Sequence, residues 1–77
     1  MNQTLATDRG FELRKRFTGD YAIVAPDNRI SGQISWSEHY GRYLGYTTSN
    51  TPLQARDLSE IFLMCLASLE IAEERAA

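Results

Sequence analysis

Few side chains in this chain are placed to do covalent or acid–base chemistry. The one histidine, His39, stands in the segment Ser37-Glu38-His39-Tyr40. A histidine beside a carboxylate can serve as a general base. In an extended segment, however, sequence neighbours point to opposite sides, and no serine sits in a nucleophile-elbow context. His39 therefore reads as a solvent-exposed loop residue. The one cysteine, Cys65, falls in the apolar stripe of a helix. A thiol there lacks the exposure and the lowered pKa of a nucleophile, so it reads as a small core residue. One cysteine and one histidine cannot build an internal disulfide or a structural zinc site. Glu70, Glu73 and Glu74 cluster without the spacing or the glycine of a calcium loop. They read as a solvated helix face. No catalytic residue, metal site or cofactor is expected.

The remaining chemistry is recognition. Arg14 and Arg16 lie together with Lys15, and Tyr40, Arg42, Tyr43 and Tyr46 follow in a second cluster. Arginines and tyrosines on one sheet face hold single-stranded nucleic acid by stacking and phosphate contacts. The same residue types are enriched at protein-binding hot spots. Both readings stay open here. Salt separates them, because phosphate-driven binding weakens steeply as salt rises.

Hydrophobic periodicity says which elements carry these residues. Residues 1–10 are polar and without period, and are expected to form a flexible arm. Phe11, Leu13 and Phe17 alternate with Glu12, Arg14 and Arg16, predicting a strand over 11–17. Lys15 on its inner face marks that strand as an edge. Thr18-Gly19-Asp20 is a turn, and a strand over 21–25 follows. Both its faces are apolar, which places it centrally. Pro26-Asp27-Asn28 is a second turn. The clearest strand, over 30–37, alternates Ile30, Gly32, Ile34 and Trp36 with Ser31, Gln33, Ser35 and Ser37. Gly32 marks a bulge or a close approach of the helix. A fourth strand covers 42–48, with Arg42, Leu44 and Tyr46 on one face.

A helix is predicted over 52–75. Thr51 is placed as its N-cap, Pro52 as its first residue and Gln54 as the capping-box partner. Leu58, Ile61, Phe62, Cys65, Leu69, Ala72 and Ala76 form the stripe that covers the sheet, widened by Leu66 and Ala55. A second apolar strip, Leu63, Met64, Ala67 and Ile71, lies elsewhere on the same helix. Four short strands cannot cover that strip as well. It is expected to pack on a second copy about a two-fold axis, or to bind a different protein.

Size points the same way. The chain has 77 residues, of which 43 % are hydrophobic and 23 % charged. That balance belongs to one globular domain. It is too short for a doubly wound dinucleotide fold or a barrel. One core of this size rarely supplies more than roughly 3–5 kcal/mol, so a partner chain is the expected support. The net charge of −2 is too mild for strong non-specific nucleic-acid binding. Residues 57–77 carry a net charge of −4, with five acidic side chains against one basic. No secretory signal is visible. The longest apolar run, Ile61 to Ala67, falls far short of the roughly 20 residues a membrane helix needs. A cytoplasmic location is expected.

In size and plan, residues 11–75 resemble small phage and mobile-element inhibitors, anti-CRISPR proteins among them. The resemblance rests on a short antiparallel sheet, one long helix and the lack of a catalytic set, not on a shared string of residues. It implies a protein that occludes a host machine through its surface. The expectation is thus an α+β fold, a four-stranded antiparallel meander with one long C-terminal helix on one face. Its function is expected to be non-enzymatic protein binding, with a nucleic-acid-binding regulator as the alternative.

Overall fold

A computed structural model describes residues 3–49 and 52–76, with side chains through Ala72. The strands are β1 (Gln3–Asp8), β2 (Phe11–Lys15), β3 (Tyr21–Val24), β4 (Ile30–Ser37), β5 (Arg42–Thr47) and β6 (Pro52–Ala55), and helix α1 spans Leu58–Ala76. The fold is α+β. Six strands in the order β1-β2-β3-β4-β5-β6, each antiparallel to the next, form one sheet. The C-terminal helix packs on the β4–β6 part of one face.

The expected count of four strands is corrected to six by the two edges. Residues 3–8 are not an arm but strand β1, paired along β2 from Gln3–Lys15 to Asp8–Phe11. Nearly every residue of β1 is exposed, so no apolar alternation was required of it. β2 is therefore interior, not an edge. The second new strand, β6, takes up Pro52, Leu53, Gln54 and Ala55, which were expected to open the helix. A proline is tolerated as the first residue of an edge strand. Thr51, the expected cap, lies outside the described residues. The helix instead starts six residues later, at Leu58. The Oδ2 of Asp57 accepts the backbone N–H of Glu60 at 3.3 Å, which makes Asp57 the cap.

The core forms between α1 and the helix-facing side of the sheet. Leu13, Ile23, Ile34 and Ala55 meet Ile61, Phe62, Cys65 and Leu66. This is the predicted stripe, with Leu58 and Leu69 packed at its margins. β3 is buried on both faces, as a central strand should be. The close approach of the helix falls at Gly45. A β-carbon there would stand 2.9 Å from Cys65 Sγ and 3.0 Å from Ile61 Cδ1. Gly32 borders the bulge, since Ile23 pairs with Gly32 but Val24 with Ile30. The one buried polar side chain among the described residues, Thr47, is not orphaned. Its hydroxyl joins those of Ser49 and Ser68, and so ties the end of β5 to the helix.

Candidate interaction surface

The most unusual side chain on the surface is Phe17. Alternation placed it in β2, but β2 ends at Lys15 and Phe17 stands in the turn to β3. There it is 83 % exposed, the highest value for a large hydrophobic residue among those described. The turn explains this. Arg16 O accepts the Gly19 N–H at 3.0 Å, and the Arg16 N–H reaches Asp20 O at 2.9 Å. Gly19 takes a φ of +90°, the left-handed region that a three-residue hairpin loop needs at that position. Phe17 is thereby lifted off both faces of the sheet.

Side chains lock the same turn. Arg16 Nε donates to Asp20 Oδ1 at 2.9 Å and Nη2 donates to Oδ2 at 2.5 Å. Thr18 Oγ1 adds a bond to Oδ1 at 2.5 Å. The Arg16 guanidinium, with Thr18 behind it, holds the Asp20 carboxyl down at about 2. A fork of two parallel bonds fixes orientation as well as charge.

The β4–β5 turn stands at the same end of the sheet, because β3 begins opposite Ile34, near the end of β4. It carries Tyr40, 60 % exposed, with its ring edge-on to His39 at 4.8 Å between centroids. Trp36, at the end of β4, is half exposed and sits edge-on to Tyr43 at 4.9 Å. Tyr43 lies in turn edge-on to Tyr21 at 6.2 Å. Phe17, Trp36 and Tyr40 thus share one end of the molecule. Phe17 and Trp36 were not among the residues expected to bind. The signal for Phe17 was present in Gly19: a glycine closing a three-residue loop takes Phe17 out of the strand.

The six residues expected on the open sheet face and its loop to contact a partner are split. Register aligns Arg14, Ala22, Gln33 and Tyr46 in one row across the helix-free face. Arg42 stands on that face too, with Nη1 3.5 Å from Gln54 Oε1. Arg16 and Tyr40 belong to the hairpin tips. Tyr43 is corrected: it alternates with Arg42 and Leu44 and so faces the helix side. Burial first, then the neighbouring Tyr21 and Asp57, raise its hydroxyl pKa.

Two cations of this surface, Arg14 and Arg16, are held in ion pairs, whereas Lys15 and Arg42 have no carboxylate partner among the described residues; Arg29 and Arg9 are paired at the opposite end of the sheet. Arg14 holds Glu12 at 2.9 Å, and Thr4 Oγ1 donates to the same carboxylate at 3.0 Å. Arg14 first, then Thr4, hold the Glu12 carboxyl below its ordinary range. Arg29 pairs with Asp27. Arg9 pairs with Glu70 at 2.7 Å.

On the outer side of α1, Leu63 and Ile71 are about half exposed, at 48 % and 51 %, with exposed Ala67 between them. Met64 departs from the expected strip. It is half-buried and packs against the core. His39 is exposed and Cys65 is buried, as the sequence indicated. Burial pushes the Cys65 thiol up to about 11. Among the described residues, no three His, Cys, Asp or Glu side chains gather as a metal site requires. No described helix is long and apolar enough to cross a membrane. Comparison with protein-family models, curated proteins and solved structures finds no match for the chain.

Proposed function

We propose that the protein works by binding another protein, without catalysis, through the end of the sheet that carries Phe17, Trp36 and Tyr40. The exposure of Phe17 carries this reading. A phenyl ring at the tip of an otherwise polar turn contributes nothing to the core, and water around it is unfavourable. Large aromatic side chains of this kind are the anchors of protein interfaces. Trp36 and Tyr40 extend the aromatic surface around it.

The pairing of Arg14 and Arg16 with carboxylates of their own segments supports protein over nucleic acid as the partner. Each phosphate contact by these arginines competes with an existing ion pair. The likeness in size and plan to phage-borne inhibitors extends the proposal to occlusion of a host defence complex in the cytoplasm.

The test is retention of proteins from host-cell lysate on the immobilised chain. Phe17→Ala is expected to abolish retention of a specific protein while the melting curve stays unchanged. Retention that survives Phe17→Ala but disappears as salt rises, or with nuclease, supports a nucleic-acid partner instead.

The exposed Leu63–Ala67–Ile71 strip supports a second contact, between two copies of the chain. Small Ala67 at its centre lets two helices approach closely, and its flanking side chains already face water.

A further inference from the structure

We propose that Phe17 of each protomer docks in the apolar groove between β1 and α1 of a second copy, closing a two-fold dimer. The inference rests on the reading of Phe17 as an anchor and names what covers the ring while no foreign partner is bound. The groove is about 250 Å³ and is lined chiefly by Leu5 and Ala6 of β1, Leu13 of β2, and Leu58, Phe62 and Leu63 of α1. A bulge builds it. Thr4 pairs with Arg14 and Ala6 with Leu13, so Leu5 is the extra residue, and it joins the groove wall beside the helix. An apolar cavity of about 150 Å³ already takes up benzene, so the groove has room for one phenyl ring. Its rim faces water: Leu5 and Leu63 are 43 % and 48 % exposed.

The chain's own ring does not fill it. Two backbone hydrogen bonds and the Arg16–Asp20 fork close the turn, with Phe17 83 % exposed and outside the groove. Charge favours a second copy as the source of the ring. Lys15, two residues before Phe17, is exposed and has no carboxylate partner among the described residues. Glu60, next to the groove-lining Ser59, is exposed and has no cation partner among them. Docking sets Lys15 of one protomer against Glu60 of its partner. Position allows closure. β6 ends where Ala55 pairs with Tyr43, beside Trp36, so the Leu58 end of the groove lies at the same end of the sheet as the Phe17 turn. A two-fold axis at that end lets each copy give a ring and receive one.

The test reads mass by sedimentation equilibrium, and contacts by isotope-filtered NMR on a mixture of labelled and unlabelled chains. The parent is expected to be a dimer, with intermolecular NOEs between the Phe17 ring and the methyl groups of Leu5 and Leu63. Phe17→Ala and Leu5→Glu change exposed side chains. Each is expected to raise the dimer dissociation constant roughly tenfold or more, with the far-UV spectrum unchanged. A parent that stays monomeric at every concentration reached overturns the docking, and so does a dimer that keeps its affinity in both variants or lacks those NOEs. In either case the foreign-protein reading of Phe17 keeps its own test. Melting curves below the dissociation constant report on the lone fold. There Phe17→Ala is expected to leave the midpoint unchanged; a fall at that dilution makes Phe17 structural and overturns the anchor reading together with the docking.

Discussion

Gly45 of β5 and Cys65 of α1 meet where the helix comes closest to the sheet: a β-carbon on Gly45 would stand 2.9 Å from the Cys65 sulfur. Two atoms of Ile61 crowd the same point, at 3.0 and 3.1 Å. Glycine here sets the depth at which α1 is seated, and so the burial of Leu66 and Phe62 beside it. Gly45→Ala forces the helix outward. Overpacking of this kind costs about 1–3 kcal/mol. For a domain of this size each kcal/mol lowers Tm by roughly 4–8 °C. Differential scanning calorimetry checks the expected fall. An unchanged Tm contradicts the close seating of the helix.

The partner in that contact, Cys65, is inert by burial. Its thiol is raised from an ordinary value of 9 to about 11. The native protein is expected to react slowly with a thiol reagent at neutral pH, and rapidly once denatured. Linkage adds a sign. A thiol raised by folding ionises first in the unfolded chain, so stability declines as pH rises from about 9 toward 11. Unfolding curves across that range check it.

Core and surface leucines on the same helix are expected to behave oppositely. Leu66 is 1 % exposed, and Leu66→Ala costs about 2–5 kcal/mol as a core truncation. For so small a domain that approaches the whole margin. Leu63→Glu together with Ile71→Glu changes only half-exposed side chains and leaves the fold intact. The double variant is expected to be monomeric by sedimentation where the parent associates. Equal masses overturn the homotypic contact. Met64 is unsuitable for this test, because it packs against the core and its loss reports on folding.

Asp20 sets the acid limit of the Phe17 turn. Its carboxyl is held at about 2 against an ordinary value of 3.8. A group depressed by folding contributes stability that is fully present above its unfolded value. That contribution is lost as pH falls from about 4 through about 2. NMR titration of the carboxyl is expected to give a midpoint near 2, moving up toward the ordinary value in Arg16→Lys.

Legibility in the sequence followed burial. β4 was readable because Ile34 is buried while Gln33 and Ser35 are exposed, a difference that writes itself as alternation. The stripe of α1 was readable for the same reason. β1 was not, because Gln3 to Thr7 are exposed on both sides and leave no apolar alternation to read. The start of α1 was displaced by competing chemistry. Thr51-Pro52-Leu53-Gln54 has the spacing of a capping box, but so does Asp57-Leu58-Ser59-Glu60 a turn and a half later, and the second caps the helix. Pro52, Leu53 and Gln54 of the first belong to β6, whose Ala55 pairs with Tyr43. At the candidate surface, residue type found Tyr40, Arg42 and Tyr46 but not their geometry. Tyr43 faces the other side by simple alternation, and Phe17 was hidden by an apparent continuation of β2.

Phe17 is proposed to act as a binding anchor and not as a structural residue. Paired measurements on Phe17→Ala test it most directly: the thermal unfolding midpoint, and retention of the lysate protein that the parent holds. An unchanged midpoint with lost retention is the expected result. A fallen midpoint, or full retention at an unchanged midpoint, would contradict it.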